Sequence, residues 1–247
     1  MNNSVGNTGR LLWAGLRALL VLTVVCGVLY PLAVTGVAQV AFHDKANGSE
    51  IKDPATGKVV GSALIGQSYN LPAKNPDDPD ETPRADLRWF QPRPSGGLGT
   101  NSVNTQYKLI LSGATNLSGD SGAVDGRCPA RLTDYRTEDE RSTLCYRVLS
   151  ARQAVIDDNS TPDHRVKPSE VPAEAVTSSA SGLDPHISPA YARLQVHRVA
   201  ARNHLDVAAV EKLVAGHTQG RTLGFVGEPR VNVLELNLAL KSLVAKG

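Results

Sequence analysis

The chain has 247 residues, of which 41% are apolar, 20% charged and only 4% aromatic, enough apolar material for one ordinary domain and an additional segment. Lys and Arg number 26 and Asp and Glu number 24, and the formal charge of +2 is accounted for by Arg10 and Arg17, which precede every acidic residue. This balance excludes a strongly basic domain that neutralises nucleic-acid phosphates, and it equally excludes an acidic tail.

The first predicted element is a membrane-spanning helix at residues 18–42, a stretch without a charged side chain. At about 1.5 Å per residue it would extend roughly 37 Å, more than the hydrocarbon core of about 30 Å requires. Because Arg10 and Arg17 favour the inner side, the sequence predicts a cytoplasmic N-terminal tail at residues 1–17 and an extracytoplasmic domain at residues 43–247. The predicted location is the inner or plasma membrane, crossed once.

A cleaved signal peptide is the alternative interpretation of this segment, since small residues such as Gly36 and Ala38 offer a cleavage site. The apolar core of a signal peptide is usually about 7 to 15 residues long, so the length favours a retained anchor. Pro31 removes a backbone donor inside the span and should kink the helix, which suggests that another helix packs there.

Short strands and turns are predicted at residues 43–72, where glycines interrupt short apolar runs. Proline and acidic residues indicate a surface loop at residues 75–84, and prolines exclude a central strand or a helix interior at residues 88–97. Gly, Ser, Asn and Asp are dense at residues 112–125, and the loop is predicted to continue to about Arg147. The middle third is therefore predicted to be mostly loop.

Cys128 and Cys145 lie in this polar region, on the side of the membrane where oxidising conditions permit a disulfide. A bridge would restrict the unfolded chain and stabilise the segment by about 3 kcal/mol. Zinc binding is the alternative, but no nearby His pair or C-x-x-C string accompanies the two cysteines. We therefore expect a disulfide, and we expect the third cysteine, Cys26, to be a packing residue within the span.

The last third of the chain is predicted to be mainly helical. Ser188 followed by Pro189 is a signal for the start of a helix, and Asp206 precedes a second amphipathic segment that should stop at Gly216. A final helix is predicted from about Val233, with leucines along one side. Strands early and helices late, without regular βαβ alternation, indicate an α+β domain rather than a doubly wound sheet.

Two short strings carry candidate catalytic residues. Gly-Asp-Ser-Gly at residues 119–122 is similar to the nucleophile loop of trypsin-like serine proteases, but only His43 precedes Ser121, so the string lacks its usual base and acid. Asp184 and His186 could orient an imidazole or supply two metal ligands, but the sequence favours a turn at Asp184-Pro185 with His186 as a hydrogen-bonding or packing residue. Since no complete catalytic set or P-loop is present in the sequence, the chain is not predicted to be an enzyme by itself and no metal site is assigned.

Several further strings occur in a recognisable order. They are Tyr-Pro-Leu at 30–32, Thr-Gly-Val-Ala-Gln at 35–39, Gly-Ser-Ala-Leu-Ile-Gly-Gln at 61–67, Arg-Pro-Ser at 93–95, SASGLDPHISPAYARLQVHRVA at 179–200 and GEPRVNVLELNLAL at 227–240. Together they closely resemble the C subunit of the Kdp potassium-transporting P-type ATPase. The resemblance covers about residues 11–117 and 166–244. We call six polar residues from the two longest strings the signature residues: Asp184, His186, Ser188, Asn232, Glu235 and Asn237.

The chain departs from the family pattern in two places. Pro92 stands where family members usually have Gly, so the backbone there is expected to differ. Residues 118–165, which contain both exported cysteines, look like an insertion within the extracytoplasmic domain, and the resemblance assigns them no role.

The resemblance implies a single-pass accessory subunit without catalytic activity of its own. Its expected partners are a channel-like potassium-binding subunit, a P-type ATP-hydrolysing subunit, a small membrane peptide and membrane lipid, but not nucleic acid. A phosphorylatable D-K-T-G string and a T-V-G-Y-G filter are both absent from the sequence. Ion selectivity and phosphoryl transfer are therefore expected on the partner chains.

The family is described as a catalytic chaperone that raises the ATP affinity of the hydrolysing subunit. The resemblance thus implies a nucleotide-binding role for a Ser/Gly-rich loop, namely Ser178, Ser179, Ser181 and Gly182. ATP is cytoplasmic, whereas the charge distribution predicts this loop outside, so no cofactor is assigned to the chain itself and ATP is expected at the level of the complex.

Three other interpretations stay open on the sequence. In the first, the exterior domain covers the entrance of the channel-like subunit and stabilises the assembly without touching ATP. In the second, the chain is a membrane-anchored exported hydrolase that depends on Ser121 or His186. In the third, it is an exterior binding module that functions alone.

Overall fold

The computed structural model describes residues 3–75, 78, 81, 84–94 and 121–245. It divides between Ser49 and Glu50 into two compact units. Most of the Gly/Ser-rich stretch predicted from residue 112, together with Ser95, Gly119 and Asp120 of the strings noted above, lies outside the described residues.

The first unit is a long apolar helix followed by a short one. Helix α1 (Asn3–Val24) runs through a π-helical turn at Val25–Leu29 into α2 (Tyr30–Ala41), and α3 (His43–Ala46) follows. The helical stretch Gly6–Ala41 is long and apolar enough to cross a membrane, with a mean hydropathy of 2.3 over its most apolar window, of which no part is buried. The helix begins well before residue 18, because neither proline nor a run of charge interrupts residues 3–17.

The π-helical turn lies directly before Pro31. The Tyr30 N–H donates to the carbonyl of Val25, one residue farther back than in an α-helix. Proline has no N–H to offer the carbonyl four residues earlier and its ring crowds that carbonyl, so a locally widened turn accommodates it. The disturbance that the sequence predicts at Pro31 therefore takes the form of a π-helical turn.

In the part of the second unit that the structure describes, the strands form two small antiparallel sheets. Strands β1 (Glu50–Lys52) and β2 (Val59–Ser62) pair as a hairpin, as expected for residues 43–72. Strands β3 (His186–Ile187), β4 (Thr218–Gln219) and β5 (Arg230–Asn232) form the second sheet, with β5 in the centre.

The helices of the second unit are α4 (Glu138–Ser142), α5 (Leu144–Asn159), α6 (Pro189–Asn203), α7 (Val207–Gly216) and α8 (Val233–Val244). Single 3-10 turns occur at Leu132–Asp134, Pro168–Glu170 and Ala173–Ala175. The mixture of short strands and helices confirms the α+β class.

The predicted C-terminal helices are confirmed with their starting signals. The hydroxyl of Ser188 accepts a hydrogen bond from the Tyr191 N–H at 3.1 Å, and Pro189 occupies the first turn of α6. Asp206 stands at the N-cap position of α7, although its side chain accepts no capping bond from the described N–H groups of that helix. Helix α8 begins at Val233, as predicted.

The prediction that loop continues to Arg147 is wrong, because α4 and the first turn of α5 lie before that residue. Thr137 and Glu140 form a reciprocal capping box, with the Thr137 hydroxyl accepting from the Glu140 N–H at 3.2 Å and Glu140 accepting from the Thr137 N–H at 2.9 Å. Helix α5 buries only Cys145 and Asn159. With so narrow a buried face, hydrophobic periodicity does not reveal it.

A disulfide joins Cys128 to Cys145, in the first turn of α5, across a Cα–Cα distance of 5.3 Å. The Cys145 N–H also donates to the carbonyl of Ser121 at 2.9 Å. The segment before α5 is thereby fastened to the start of that helix.

The core of the second unit contains apolar side chains from α6, α7, α8 and the second sheet. Tyr69 and Phe90 join it from the N-terminal half of the unit. Its largest members are Tyr69, Phe90, Ile187, Tyr191, Val196, Val199, Val210, Val214, Leu236 and Leu240. Phe90 belongs to an irregular stretch at residues 86–94, which we call the central segment.

Candidate functional site

The central segment has no strand or helix of its own, yet it lies in the middle of the second unit. Pro92 and Pro94 have no N–H to donate to a ladder, as expected from the sequence. Buried backbone groups must nevertheless find partners. The polar side chains of α6 and α8 supply them.

Two side-chain amides pair with the central segment as a neighbouring strand would. Asn237 of α8 accepts from the Phe90 N–H and donates to the Phe90 carbonyl, both at 2.9 Å. Gln195 of α6 accepts from the Gln91 N–H at 2.7 Å and donates to the Gln91 carbonyl at 3.0 Å. Both amides are completely buried, so their hydrogen bonds fix the position of the segment.

Arg198 of α6, three residues after Gln195, also binds the central segment. It is 2% exposed, and it donates to the carbonyls of Leu87 and Trp89 at 2.6 and 3.0 Å. Further bonds reach the side-chain oxygens of Asn159 and Gln195 at 2.9 and 2.6 Å. Burial lowers the pKa of Arg198 to about 10, which still leaves the guanidinium charged near neutral pH. Because Asn159 ends α5, this one side chain joins α5, α6 and the central segment.

Asp184 and His186 lie together, as the sequence suggested, but their third partner is a guanidinium. Asp184 accepts from the His186 N–H at 3.0 Å and from Arg93 Nη1 at 3.3 Å, and its Oδ1 is 3.5 Å from His186 Nδ1. The pKa of Asp184 is lowered chiefly by hydrogen bonding to the His186 side chain, with Arg93 adding to the shift and partial burial opposing it. Arg93 also donates to the carbonyls of Thr177 and Ser178 at 3.4 and 3.3 Å. The group therefore holds the central segment to the Ser/Gly-rich loop.

Two hydroxyls of the Ser/Gly-rich loop, those of Ser179 and Ser181, make hydrogen bonds within the loop. Ser179 is buried, and its Oγ lies 3.2 Å from Ser181 Oγ, which accepts from the Leu183 N–H at 3.1 Å. The Ser179 N–H donates to the carbonyl of Pro94 at 2.9 Å, and Gly182 has a φ of +69°, which glycine adopts without strain. The nucleotide contact implied for Ser178, Ser179, Ser181 and Gly182 stays a prediction.

The remaining signature residues occupy the starts of two helices. Asn232 accepts from the Leu234 and Glu235 N–H groups at 3.0 and 3.2 Å, which caps α8, and it donates to the carbonyl of Ala63 at 2.9 Å. Glu235 lies in the first turn of α8, where its charge is favourable for the helix dipole. Ser188 caps α6 and its N–H donates to Glu174 at 2.9 Å. Four of the six signature residues, Asp184, Ser188, Asn232 and Asn237, thus hydrogen-bond through their side chains to backbone groups of this chain.

The string around Ser121 also has a packing explanation. The Ser121 hydroxyl accepts from the Ala123 N–H at 3.3 Å within its own turn. Gly122 has a φ of +69°, and a Cβ at that position would collide with the side chain of Thr143. Glycine is therefore required here by a close approach. Among the described residues, no group of three or more His, Cys, Asp or Glu side chains could hold a metal ion.

A cleft of about 500 Å³ runs beside the central segment, between α5 and α6. The polar residues that line it include Arg93, Asp158, Tyr191, Gln195 and Arg198. Burial raises the pKa of Tyr191 to about 12, so this phenol stays protonated and cannot serve as a base near neutral pH.

Arg10 and Arg17, which set the predicted topology, both lie on α1. The guanidinium of Arg17 is 5.6 Å from the centre of the Trp13 ring, a cation–π arrangement. An aromatic residue beside an arginine is typical of a membrane–water interface.

Sequence reasoning missed the polar residues that matter most to the core, Gln195 and Arg198. A signal for them was present, since both lie among Tyr191, Val196 and Val199, where polar side chains interrupt the apolar face of α6. A polar residue on the buried face of a helix needs a buried partner.

The model of the family described as "KdpC: K+-transporting ATPase, c chain" matches residues 12–242. Curated relatives named "Potassium-transporting ATPase KdpC subunit" include one from Streptomyces avermitilis, 67% identical over 245 residues and 99% of both chains. One from Streptomyces coelicolor is 61% identical over 247 residues, 100% of this chain and 99% of the relative, so that alignment includes residues 118–165. One from Mycobacterium tuberculosis is 38% identical over 234 residues, 95% of this chain and 99% of the relative. The chain belongs to the KdpC family, the c chains of the K+-transporting ATPase.

Proposed function

We propose that this chain is a non-catalytic accessory subunit of an ATP-driven potassium uptake complex, and that another chain hydrolyses ATP. The observation that carries the proposal is that the signature residues make their contacts within this chain. Asp184, Ser188, Asn232 and Asn237 bind backbone groups or a neighbouring guanidinium of this chain, and they do not converge on one cleft. Residues used in this way preserve a shape, which is what a subunit needs in order to fit its partners.

The proposed partners are a channel-like potassium-binding subunit, a P-type ATP-hydrolysing subunit and a small membrane peptide. In this arrangement the N-terminal helix crosses the membrane once with Arg10 and Arg17 in the cytoplasm. Residues 43–247 lie outside, over the entrance of the channel-like subunit, and stabilise the assembly. The family name and the apolar helix support the complex and the membrane, and the charge distribution supports the orientation.

Direct ATP contact by the Ser/Gly-rich loop, as in a catalytic chaperone, is the second candidate. A triphosphate needs free N–H donors and unpaired cations. Arg93, the cation that contacts this loop, is already directed at Asp184 and at two carbonyls. This pairing favours the exterior, assembly-stabilising role over a nucleotide site.

Labelling of an introduced cysteine decides between the two candidates. Ser181→Cys in a Cys26→Ala background is expected to react with a membrane-impermeant maleimide on intact cells, because Ser181 is exposed and we place it outside. Asn7→Cys in the same background is the matched control, expected to react only in inverted vesicles. Protection of Ser181→Cys in cells with reaction in inverted vesicles would overturn the exterior placement and favour nucleotide contact.

Growth at very low potassium tests the accessory role itself. Deletion of the chain should abolish growth, and the full chain should restore it and co-purify with two larger membrane proteins. Ser121→Ala should restore growth equally well if the chain is not a hydrolase. Loss of growth with this variant, despite normal co-purification, would instead support an exported hydrolase.

A further inference from the structure

The loop that joins β4 to β5, residues 220–229, ends in an exposed apolar tip. Leu223, Phe225 and Val226 are 81%, 74% and 50% exposed, and we call these three residues the apolar tip. We propose that the apolar tip docks into an apolar pocket on the exterior surface of another subunit of the same ATPase. This inference rests on the proposed function and names the part of the chain that contacts a partner.

The apolar tip is held in one conformation by its own backbone. Thr222 and Val226 exchange two backbone hydrogen bonds, both at 2.9 Å, and the Gly224 N–H donates to the carbonyl of Arg221 at 3.1 Å. Arg221 and Glu228 close the base of the loop with an ion pair at 2.9 Å. A side chain presented on an ordered loop loses little conformational entropy on binding, which favours recognition.

The support behind the loop is equally ordered. Strand β5 pairs with β3 on one side and β4 on the other, and it leads through the Asn232 cap directly into α8. Helix α8 in turn holds the central segment through Asn237. The string GEPRVNVLELNLAL therefore runs from this loop to the core in one continuous path.

Leu223 is an unusual residue for its backbone conformation. Its φ is +55°, in the left-handed region that glycine and asparagine tolerate and that a branched aliphatic residue disfavours. The side chain gains almost no burial in return among the described residues, since it is the most exposed large apolar side chain of the second unit. Burial of this side chain by another molecule would explain why a leucine occupies a strained and exposed position.

The charges of this loop favour a protein pocket rather than a lipid surface as the binding partner of the apolar tip. Loops that insert into anionic membranes usually carry unpaired Lys or Arg beside their apolar residues. Residues 220–229 contain one cation and one anion, Arg221 and Glu228, and they pair with each other. Three apolar side chains with a central aromatic residue resemble an anchor that fills a pocket, and they are too few for a stable interface between two copies of this chain.

The first test is a double variant, Leu223→Asn with Phe225→Ser, assayed in the complete complex. Co-purification of the chain with the other subunits should fall about tenfold or more, because the anchor side chains are removed. The unfolding temperature of the chain should stay the same or rise, since asparagine fits the left-handed conformation. Val124→Ser is the matched control, because Val124 is 66% exposed but belongs to another part of the chain.

The outcomes separate this inference from the function on which it rests. Wild-type retention of the double variant would overturn the docking role of the tip and leave the accessory function intact. A clear drop in unfolding temperature would show that the tip is structural, which also overturns the inference. Failure of the wild-type chain to co-purify would instead overturn the proposed function, and the inference with it.

A spin label on the apolar tip identifies the molecule that the tip contacts. A nitroxide on Phe225→Cys, in a Cys26→Ala background, should be immobilised in the complete complex and mobile when the chain alone is in detergent or in nanodiscs of anionic phospholipid. Immobilisation by the nanodiscs alone would make lipid the occupant. Immobilisation that grows with the concentration of the chain alone would make a second copy the occupant, and either result overturns the proposal.

Discussion

Arg198 is a buried cation whose hydrogen-bond acceptors among the described residues are all neutral oxygens, two of them carbonyls of the central segment. Arg198→Met should lower the free energy of unfolding by about 3 kcal/mol or more, because the carbonyl of Leu87 and the side-chain oxygen of Asn159 would lose the donor that Arg198 supplies. Urea unfolding followed by Trp89 fluorescence, in a Trp13→Phe background, measures the loss. Arg202→Met, at an exposed position of the same helix, should change stability by less than about 0.5 kcal/mol. Equal effects of the two variants would contradict a supporting role for Arg198.

Asp184 makes the stability of the second unit depend on pH. Its pKa in the folded chain is lowered by His186 and Arg93, so the unfolded state binds more protons between the two pKa values. The stabilisation is therefore complete above the ordinary aspartate pKa of about 3.9 and is lost as pH falls through the folded value. Asp184→Asn should cost about 1 kcal/mol at pH 7 and flatten the decline of the unfolding temperature below pH 5.

A thermal unfolding series from pH 7 to pH 3 provides the measurement for Asp184. The exposed Asp163→Asn serves as control and should leave the acid decline in place. An unchanged decline in Asp184→Asn would mean that other carboxylates produce the acid sensitivity. Either way, the experiment separates the Arg93 and His186 contacts from the general effect of acid.

At the scale of elements, the disulfide is the main covalent constraint on the segment that ends in α5. It joins residues 17 positions apart, a loop length for which restriction of the unfolded chain contributes about 3 kcal/mol. Cys128→Ser with Cys145→Ser should lower the free energy of unfolding by about that amount and increase amide exchange in α4 and α5 first. Cys26→Ser, in the first unit, should change neither quantity. Unaltered exchange in α5 after loss of the bridge would show that noncovalent contacts, among them the Arg198–Asn159 hydrogen bond, suffice to hold the helix.

The elements differ in how readily the sequence reveals them, and burial explains the difference. Helix α8 buries six residues along one face, and α6 starts at a Ser-Pro pair, so both follow from periodicity and capping rules. Helix α5 buries only two residues, one of them the half-cystine Cys145, and is held by a disulfide and by Arg198. Tertiary contacts of this kind produce no periodic pattern of apolar residues in the sequence.

The central segment illustrates a second limit. Its prolines correctly exclude a strand, but nothing local shows that amides from Gln195 and Asn237 replace the missing ladder. The sequence could identify Asp184 and His186 as a pair because they are two positions apart. It could not place Arg93 beside them, since that contact spans 91 positions.

At the scale of the whole molecule, polar contacts between distant positions tie together the two ends of the second unit, in or beside the strings that carry the family resemblance. Asn232 reaches the carbonyl of Ala63, 169 positions earlier, and Lys241 bonds Asp53 at 2.7 Å, 188 positions earlier. Hydrogen bonding to Lys241 lowers the pKa of Asp53. These two contacts join parts of the chain that long polar loops separate in sequence.

The N-terminal helix gives the last prediction, which concerns whether it only anchors the chain. A plain anchor needs neither Pro31 nor a π-helical turn, and small residues such as Gly27 and Gly36 allow a neighbouring helix to approach closely. If residues 3–41 are replaced by an unrelated apolar helix of the same orientation, the rest of the chain should still reach the membrane. Co-purification with the other subunits should nevertheless fall about tenfold, because interhelical contacts of roughly 1–2 kcal/mol are lost.

A chimera that replaces residues 11–20 but keeps Arg17 is the matched control for this exchange, since it preserves the π-helical turn, Pro31 and both glycines as well as the charge that favours the orientation. It should retain most of the co-purification and support growth at very low potassium. The critical comparison is between the two chimeras at equal abundance in the membrane. Full activity of the complete exchange would reduce the helix to a membrane anchor and leave all recognition of the partners to residues after 41, because only the attachment to the membrane would then matter.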